Sequence, residues 1–336
     1  MSEEMVTTPP AARVARVVEE TIPKPATAPE EEQKELELTD CVEFRPEDEE
    51  IYHVGTAGLK ARVLNGLETM VQLRELHVRS NLLYKMTGIE SLVNLTHLEL
   101  YDNQIKKIAG LDKLTKLRVL DLSFNEIRSV PDLSHLTQLE ELYIANNKLT
   151  HISGIANLRS LVKLDLGANR IRTIEGLDHL ANLEQLWLGK NKITQIQGLD
   201  GLSKLRVMSI QSNRLLAIEN LDANEALEEL YLSHNGIEAL ANVAHLAKLT
   251  ILDVGANRIP VIPPMGSNSA LEDLWLNDNQ IASFDDLRHL TGNTKLETLY
   301  LERNPLASDF EYRLKIQSML PSVQQIDATP VVRRTS

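Results

Sequence analysis

Cysteine occurs once in this 336-residue chain, at Cys41. One thiol cannot staple a fold, so a reducing, intracellular compartment is expected. No stretch approaches the ~20 apolar residues that a membrane span needs. The N-terminus carries Glu3, Glu4 and then RVARVVEE, without the positive start and unbroken apolar stretch of a secretion signal. Neither export nor a membrane is expected. Positive charge is also scarce, with 35 Lys and Arg against 48 Asp and Glu, a net charge of -13. The sequence shows no basic stripe that could release counterions from a phosphate backbone, so no nucleic acid is expected as partner.

Catalytic signatures are missing too. There is no HExxH, GxSxG elbow, Walker loop or GxGxxG fingerprint, and the nine histidines have no cysteine companions. His77 and His97 fall on what would be adjacent strands; they are read as two solvated imidazoles, not as a metal site. Cys41 lies in an acidic segment that would not activate a thiolate. The expectation is a chain that is not an enzyme, with no catalytic residues, no cofactor and no metal.

Residues 1–50 hold 15 acidic and 5 basic side chains together with Pro9, Pro10, Pro23, Pro25 and Pro29. Such a composition cannot offset the entropy of ordering, and the segment is expected to be a disordered acidic tail.

What the rest of the chain has is a period. Leucine recurs every 22 residues from Leu73 to Leu271, and then at Leu296 after an interval of 25. Counting from that leucine, position four is Leu in ten units and Met208 in the other, position six is Val, Leu or Ile, and position nine is Asn in all eleven. These are the asparagines from Asn81 to Asn304, each followed two residues later by Leu or Ile. The pattern LxxLxLxxNxL defines a leucine-rich repeat. Residues 51–72 keep Ile51, Val54, Leu64, Gly66 and Leu67 but place Leu59 at the asparagine position, as expected of a degenerate N-terminal capping repeat.

The physical reading is an α/β leucine-rich-repeat solenoid, a horseshoe with a parallel sheet on its concave face. The alternating x-L-x-L-x segment makes a short strand with leucines inward. The asparagine amide is placed to satisfy main chain in the turn leaving the strand. The GLxxL portions, as at Gly110-Leu111 and Gly176-Leu177, would close each coil on the convex side through 3-10 or short helical turns. Eleven repeats occupy 73–304. In 305–332, Tyr312, Leu314, Ile316, Met319 and Leu320 fall at helical spacing and are expected to cap the last coil.

The side chains left free to vary are those facing out from the strands. At the fifth position they run His77, Glu99, Asp121, Tyr143, Asp165, Trp187, Ser209, Tyr231, Asp253, Trp275 and Tyr300, so that five of the nine Trp and Tyr residues share one position. With strands ~4.8 Å apart, an aromatic would recur every ~10 Å along the groove. Glu75, Glu141, Glu229 and Asp273 at the third position add negative charge, and Lys163 is the only basic residue there. Exposed tryptophans in file point to an interface, and the partner would carry apolar pockets and basic residues.

The strings YDNQIKKI at Tyr101, LGKNKIT at Leu188, QSNRL at Gln211, ELYLSHNGIE at Glu229, YLERNPL at Tyr300 and the cap YRLKIQSMLPSVQQIDAT resemble the leucine-rich-repeat regulatory subunits of protein phosphatase 1, the regulatory subunit 7 family. The resemblance runs from about Leu73 to Val332 and implies a non-catalytic subunit that binds the phosphatase catalytic subunit by its concave face and controls its activity, maturation or targeting. Matched residue by residue, it implies docking through Asp121, Tyr143, Asp165, Trp187, Asp253, Asp273, Trp275 and Tyr300; the alternation of aromatics adds Tyr231. It further implies inhibitor-3 as a third protein, a nuclear and cytoplasmic location, and a chain that is a monomer on its own. Residues 51–72 fit the family's first repeat poorly. Val42-Glu43-Phe44 lacks the basic residue of the short valine-x-phenylalanine docking motif and is read as chance. The alternative from a different class is a structural repeat scaffold of spliceosomal or axonemal type.

Overall fold

The structure, a computed structural model, describes residues 36–331. The expectation for residues 1–35 therefore lies outside the described residues, as does Val332 of the cap.

One strand per coil builds a single sheet whose order follows the chain from first to last. The strands are β1 (Glu50–Val54), β2 (Glu75–Arg79), β3 (His97–Glu99), β4 (Val119–Asp121), β5 (Glu141–Tyr143), β6 (Lys163–Asp165) and β7 (Gln185–Trp187). They continue as β8 (Val207–Ser209), β9 (Glu229–Tyr231), β10 (Ile251–Asp253), β11 (Asp273–Trp275), β12 (Thr298–Tyr300), β13 (Gln325–Ile326) and β14 (Thr329–Pro330). All neighbours up to β13 are parallel, and from β2 to β12 the register pairs equal coil positions: Leu164 faces Leu186 and Asp165 faces Trp187.

The core is a stack of leucines. Leu161, Leu164 and Leu166 of one coil are at most 2% exposed, and the same holds in the coils around it. Each such side chain contributes about 1.5–3 kcal/mol relative to an exposed one. Hydrophobic surface alone would not fix the register, because the coil must also turn at its polar corner. That task falls to the asparagines. Asn191 Nδ2 donates to the carbonyls of Leu188 in its own coil (3.1 Å) and Leu166 in the preceding one (3.0 Å), while its Oδ1 accepts the N–H of Ile171 (3.0 Å). The same bonds recur at Asn103, Asn125, Asn147 and Asn169. Just before each asparagine the eighth residue, from Ser80 to Arg303, takes a left-handed conformation with φ between 51° and 57°. That bend costs a non-glycine residue ~1–2 kcal/mol, and it turns the chain while the residue's own N–H still reaches the next coil, as Lys190 does to Gln211 O at 2.8 Å.

The convex side closes through turns with three-residue hydrogen bonds, such as Leu180 N to Leu177 O and Leu183 N to Leu180 O, both 2.9 Å. Gly154 shows why glycine precedes them: its φ is 74°, and a Cβ there would lie 1.9 Å from Pro131 O. The 25-residue coil absorbs its three extra residues in a 3-10 segment, Phe284–Leu290.

Both ends depart from the sequence reading. At the N-terminus, Ile51 pairs with Leu76, so it fills position four and not position one. Ala61 bonds Asn81 as an eleventh-position residue should, so the three additional residues lie in the Gly55–Lys60 loop. Val54, expected at a repeat position, and Leu59, expected at the asparagine position, are 59% and 47% exposed. Residues 36–50, expected to belong to the disordered acidic tail, contribute to the folded unit. Leu38, in the short helix α1 (Leu38–Cys41), is fully buried, and Glu37 bridges to Val63. Val42 and Phe44 pack on the first coil, so the apolar residues of Val42-Glu43-Phe44 are spent on the chain's own core. At the C-terminus, helix α2 (Tyr312–Met319) buries Tyr312 and Ile316, but Leu314, two residues from each, is 66% exposed. The parallel pairing of β13 on β12 and the antiparallel β14 finish the sheet.

Candidate functional site

The third- and fifth-position side chains of β4 to β12 stand on the concave face, in the places the alternation assigns them. Their arrangement differs from a uniform row. Trp187 and Tyr231 are two strands apart, yet their rings stack at 6.3 Å with 21° between planes. They lean together over Ser209, which is left 2% exposed. A ~10 Å spacing holds for backbones; a small residue between two aromatics lets the rings close the gap. Trp275 turns instead to its neighbour Tyr300, edge-on at 5.8 Å. The groove thus carries two aromatic pairs, with Tyr143 standing apart under the Lys163 ammonium, 5.1 Å from its ring centre.

The two tryptophans share one further property. The indole N–H of each is shielded from solvent and has no acceptor among the described residues. A buried donor without a partner costs about 1–3 kcal/mol, and enclosed as they are the two N–H groups meet an acceptor on a bound surface only if the indoles turn. The tyrosine hydroxyls, in contrast, are engaged. Tyr231 donates to Glu229 at 2.8 Å, Tyr143 to Glu141, and Tyr300 accepts from Gln325 of the cap at 3.0 Å. Burial and the adjacent glutamate raise the pKa of Tyr143 and Tyr231, which keeps both as neutral donors.

The acidic residues divide into two kinds. Asp121, Asp165 and Asp253 each fold back to accept the N–H two residues on, from Ser123 (2.8 Å), Gly167 (2.8 Å) and Gly255 (3.0 Å). They fix the turn leaving the strand, and Asp253 is only 5% exposed. Burial among the flanking residues pushes all three carboxyls above the ordinary aspartate pKa. Asp273 has no such bond and stands half-exposed beside Trp275. The structure brings all nine sequence-assigned residues onto one face, but three of the four aspartates there also serve the fold.

A second cluster, not assigned from sequence, occupies the N-terminal end of the same face. Tyr52 stacks on His77 at 4.2 Å and donates to Glu75 at 2.7 Å. His77, 8% exposed, hydrogen-bonds Glu75 at 3.2 Å, and its Nδ1 lies 3.0 Å from Glu99, close enough for an ion pair though not aligned as a hydrogen bond. Glu99 also binds Arg79, and its pKa falls to about 2, chiefly through His77. Burial would lower the His77 pKa, but the two carboxylates outweigh it and the net shift is upward. His97 approaches Glu75 rather than His77, and among the described residues no group of His, Cys, Asp and Glu is arranged to hold a metal ion.

Comparison with known proteins agrees with this architecture. A model described as leucine-rich repeats in two copies matches residues 93–135 and 137–179, and a second leucine-rich-repeat model matches 204–335, together about two thirds of the chain. Among solved structures, a leucine-rich-repeat protein of Leptospira interrogans superposes with a TM-score of 0.73 at 26% identity, covering 79% of this chain and 69% of that one. An internalin of Listeria monocytogenes does so at 0.69 and 25%, covering 84% and 87%. The chain belongs to the leucine-rich-repeat proteins. Within that class it is similar to protein phosphatase 1 regulatory subunit 7: the mouse protein is 62% identical over 42 residues, 12% of each chain, and the zebrafish protein 71% identical over 34 residues, 10% of each. The match therefore spans about an eighth of those relatives' length or less.

Proposed function

We propose that this chain is a non-catalytic regulatory subunit that binds the protein phosphatase 1 catalytic subunit through its concave face and controls that enzyme's activity, maturation or targeting. The observation that carries the reading is the pair of aromatic clusters on the concave face, Trp187 with Tyr231 and Trp275 with Tyr300, with the carboxylates of Glu229 and Asp273 beside them. Large aromatics in desolvated surroundings are where interface energy concentrates. The acidic rim calls for a basic partner surface, which would gain in encounter rate more than in final affinity. Support for the particular partner comes from the high identity to regulatory subunit 7 proteins over a short segment. Neither matching family is catalytic, which accords with a binding role. Inhibitor-3 in the same assembly, and residence in nucleus and cytoplasm, follow as parts of this proposal.

The test is affinity capture from cell extract on the immobilised full chain, followed by titration calorimetry with purified phosphatase 1 catalytic subunit in several metal-loading states. Capture and a 1:1 isotherm are expected. Absence of binding in every state would overturn the proposal.

A further inference from the structure

The repeat assembles something the linear sequence hides. Although no basic stripe is visible along the chain, position ten of four successive coils is Lys148, Arg170, Lys192 and Arg214, and position twelve adds Arg128 and Arg172. Equal positions in neighbouring coils lie side by side, as the strand register shows. These six cations therefore form one ridge along the edge where the chain leaves the sheet.

The ridge is not a set of ordinary surface ion pairs. On the opposite edge, at position two, cations are matched with carboxylates of neighbouring coils: Arg118 to Glu140 at 2.7 Å, Arg206 to Glu228 at 2.7 Å and to Glu184 at 3.7 Å. On the ridge only Lys148 has such a partner, Glu126 at 2.8 Å. Among the described residues, Arg128, Arg170, Arg172, Lys192 and Arg214 have no carboxylate within ion-pair distance, and all but the half-buried Lys192 are exposed. Like charges aligned on adjacent coils repel. The same 22-residue period that offers a carboxylate neighbour on one edge withholds it on the other.

We infer that this ridge is a second interaction surface, taking an acidic polypeptide segment, and that it acts independently of whatever fills the concave groove. The shape of the charge selects the partner. The ridge is narrow: on the sheet side Asp121 and Asp165 stand at position five, folded back onto their own turns, and towards the convex side the exposed Glu175 and Asp178 stand at positions fifteen and eighteen. A single chain bearing carboxylates can follow such a line. A nucleic acid duplex or an anionic membrane is wide enough to bring its own phosphates against those flanking acids, and repulsion would cancel much of the gain.

The experiment is fluorescence anisotropy with the full chain and a labelled peptide of glutamates interspersed with glycine. Binding is expected at about 50 mM salt and should be lost by about 500 mM, where screening shortens to a few ångströms. The combined variant Arg170→Glu, Lys192→Glu, Arg214→Glu should bind at least tenfold more weakly while its circular dichroism and melting stay at wild type. The neutral variant Arg170→Gln, Lys192→Gln, Arg214→Gln should fall between, and Trp187→Ala, which alters the groove alone, should bind the peptide like wild type. No binding by the wild-type chain, equal binding by the charge-reversed variant, or tighter binding of duplex DNA or phosphatidylserine vesicles than of the peptide would each overturn the inference.

Discussion

Replacing Asn191 by alanine removes a single rung from the asparagine ladder, and the structure says which groups are left without partners. The carbonyls of Leu166 and Leu188 keep one donor each, Asn169 Nδ2 at 3.0 Å and Asn213 Nδ2 at 2.9 Å. The N–H of Ile171 keeps none, because its only acceptor is Asn191 Oδ1, and Ile171 is fully buried. One orphaned buried donor costs about 1–3 kcal/mol, and loss of the bonds to these two carbonyls and to Gly189 O, which keeps the Ala168 N–H, adds little. The expected loss is therefore about 2–3 kcal/mol, near the upper end of that range. Aspartate at the same position keeps the acceptor for Ile171 but sets a carboxylate oxygen against two carbonyl oxygens, so Asn191→Asp should be worse than alanine at pH 7 and recover as the pH is lowered. Urea unfolding followed by far-ultraviolet circular dichroism reads both variants, the midpoint falling while the slope stays constant. A loss below ~0.5 kcal/mol for Asn191→Ala would refute the ladder's role.

Three further expectations follow from the structure. Burial raises the Asp253 pKa, so the folded state holds its proton more tightly than the unfolded state and stability falls as pH rises through that window. Asp253→Asn removes this penalty and keeps an oxygen for the Gly255 N–H, so its melting temperature at pH 7 should exceed wild type and the difference should vanish in acid; a lower value at pH 7 would refute this. His77 is shifted upward, so its contribution is present in full below the ordinary imidazole pKa and lost as pH rises through the folded value; His77→Gln should destabilise more at pH 6 than at pH 9, and a pH-independent effect would count against the Glu75–His77–Glu99 cluster. Leu38→Ala empties a fully buried position and should cost about 2–5 kcal/mol; an unchanged melt would mean that the segment before β1 is not part of the folded unit.

The middle of the solenoid was legible because its determinants repeat. Eleven asparagines and thirty-odd leucines at fixed spacing leave one register, and the bonds of Asn103 to Asn304 are those the spacing requires. The ends were not, because there the period stops being a guide: the three residues added in the Gly55–Lys60 loop shift β1 without altering the convex half of that coil. The left-handed eighth residues are not legible from residue type, because Phe124, Ala168 and Lys190 carry no preference for that conformation, which the ladder imposes on them. On the concave face, residue type placed the aromatics correctly but could not show that Trp187 leans towards Tyr231, or that Asp165 and Asp253 are bound to their own turns. Lysine at either of those aspartates would therefore disturb the fold as well as the groove. The basic ridge was hidden because its members lie 22 residues apart in an acidic chain.

Titration calorimetry of phosphatase 1 catalytic subunit into wild type, Trp187→Ala, Trp275→Ala and the convex control Lys113→Ala tests the central claim. The tryptophan side chains stand on the sheet outside the leucine core, so truncation should leave melting near wild type. Each should weaken binding by roughly thirtyfold, corresponding to about 2 kcal/mol for an interface anchor, with Lys113→Ala indistinguishable from wild type. Undiminished affinity in both tryptophan variants, or loss of binding in Lys113→Ala alone, would place the docking surface elsewhere and contradict the account.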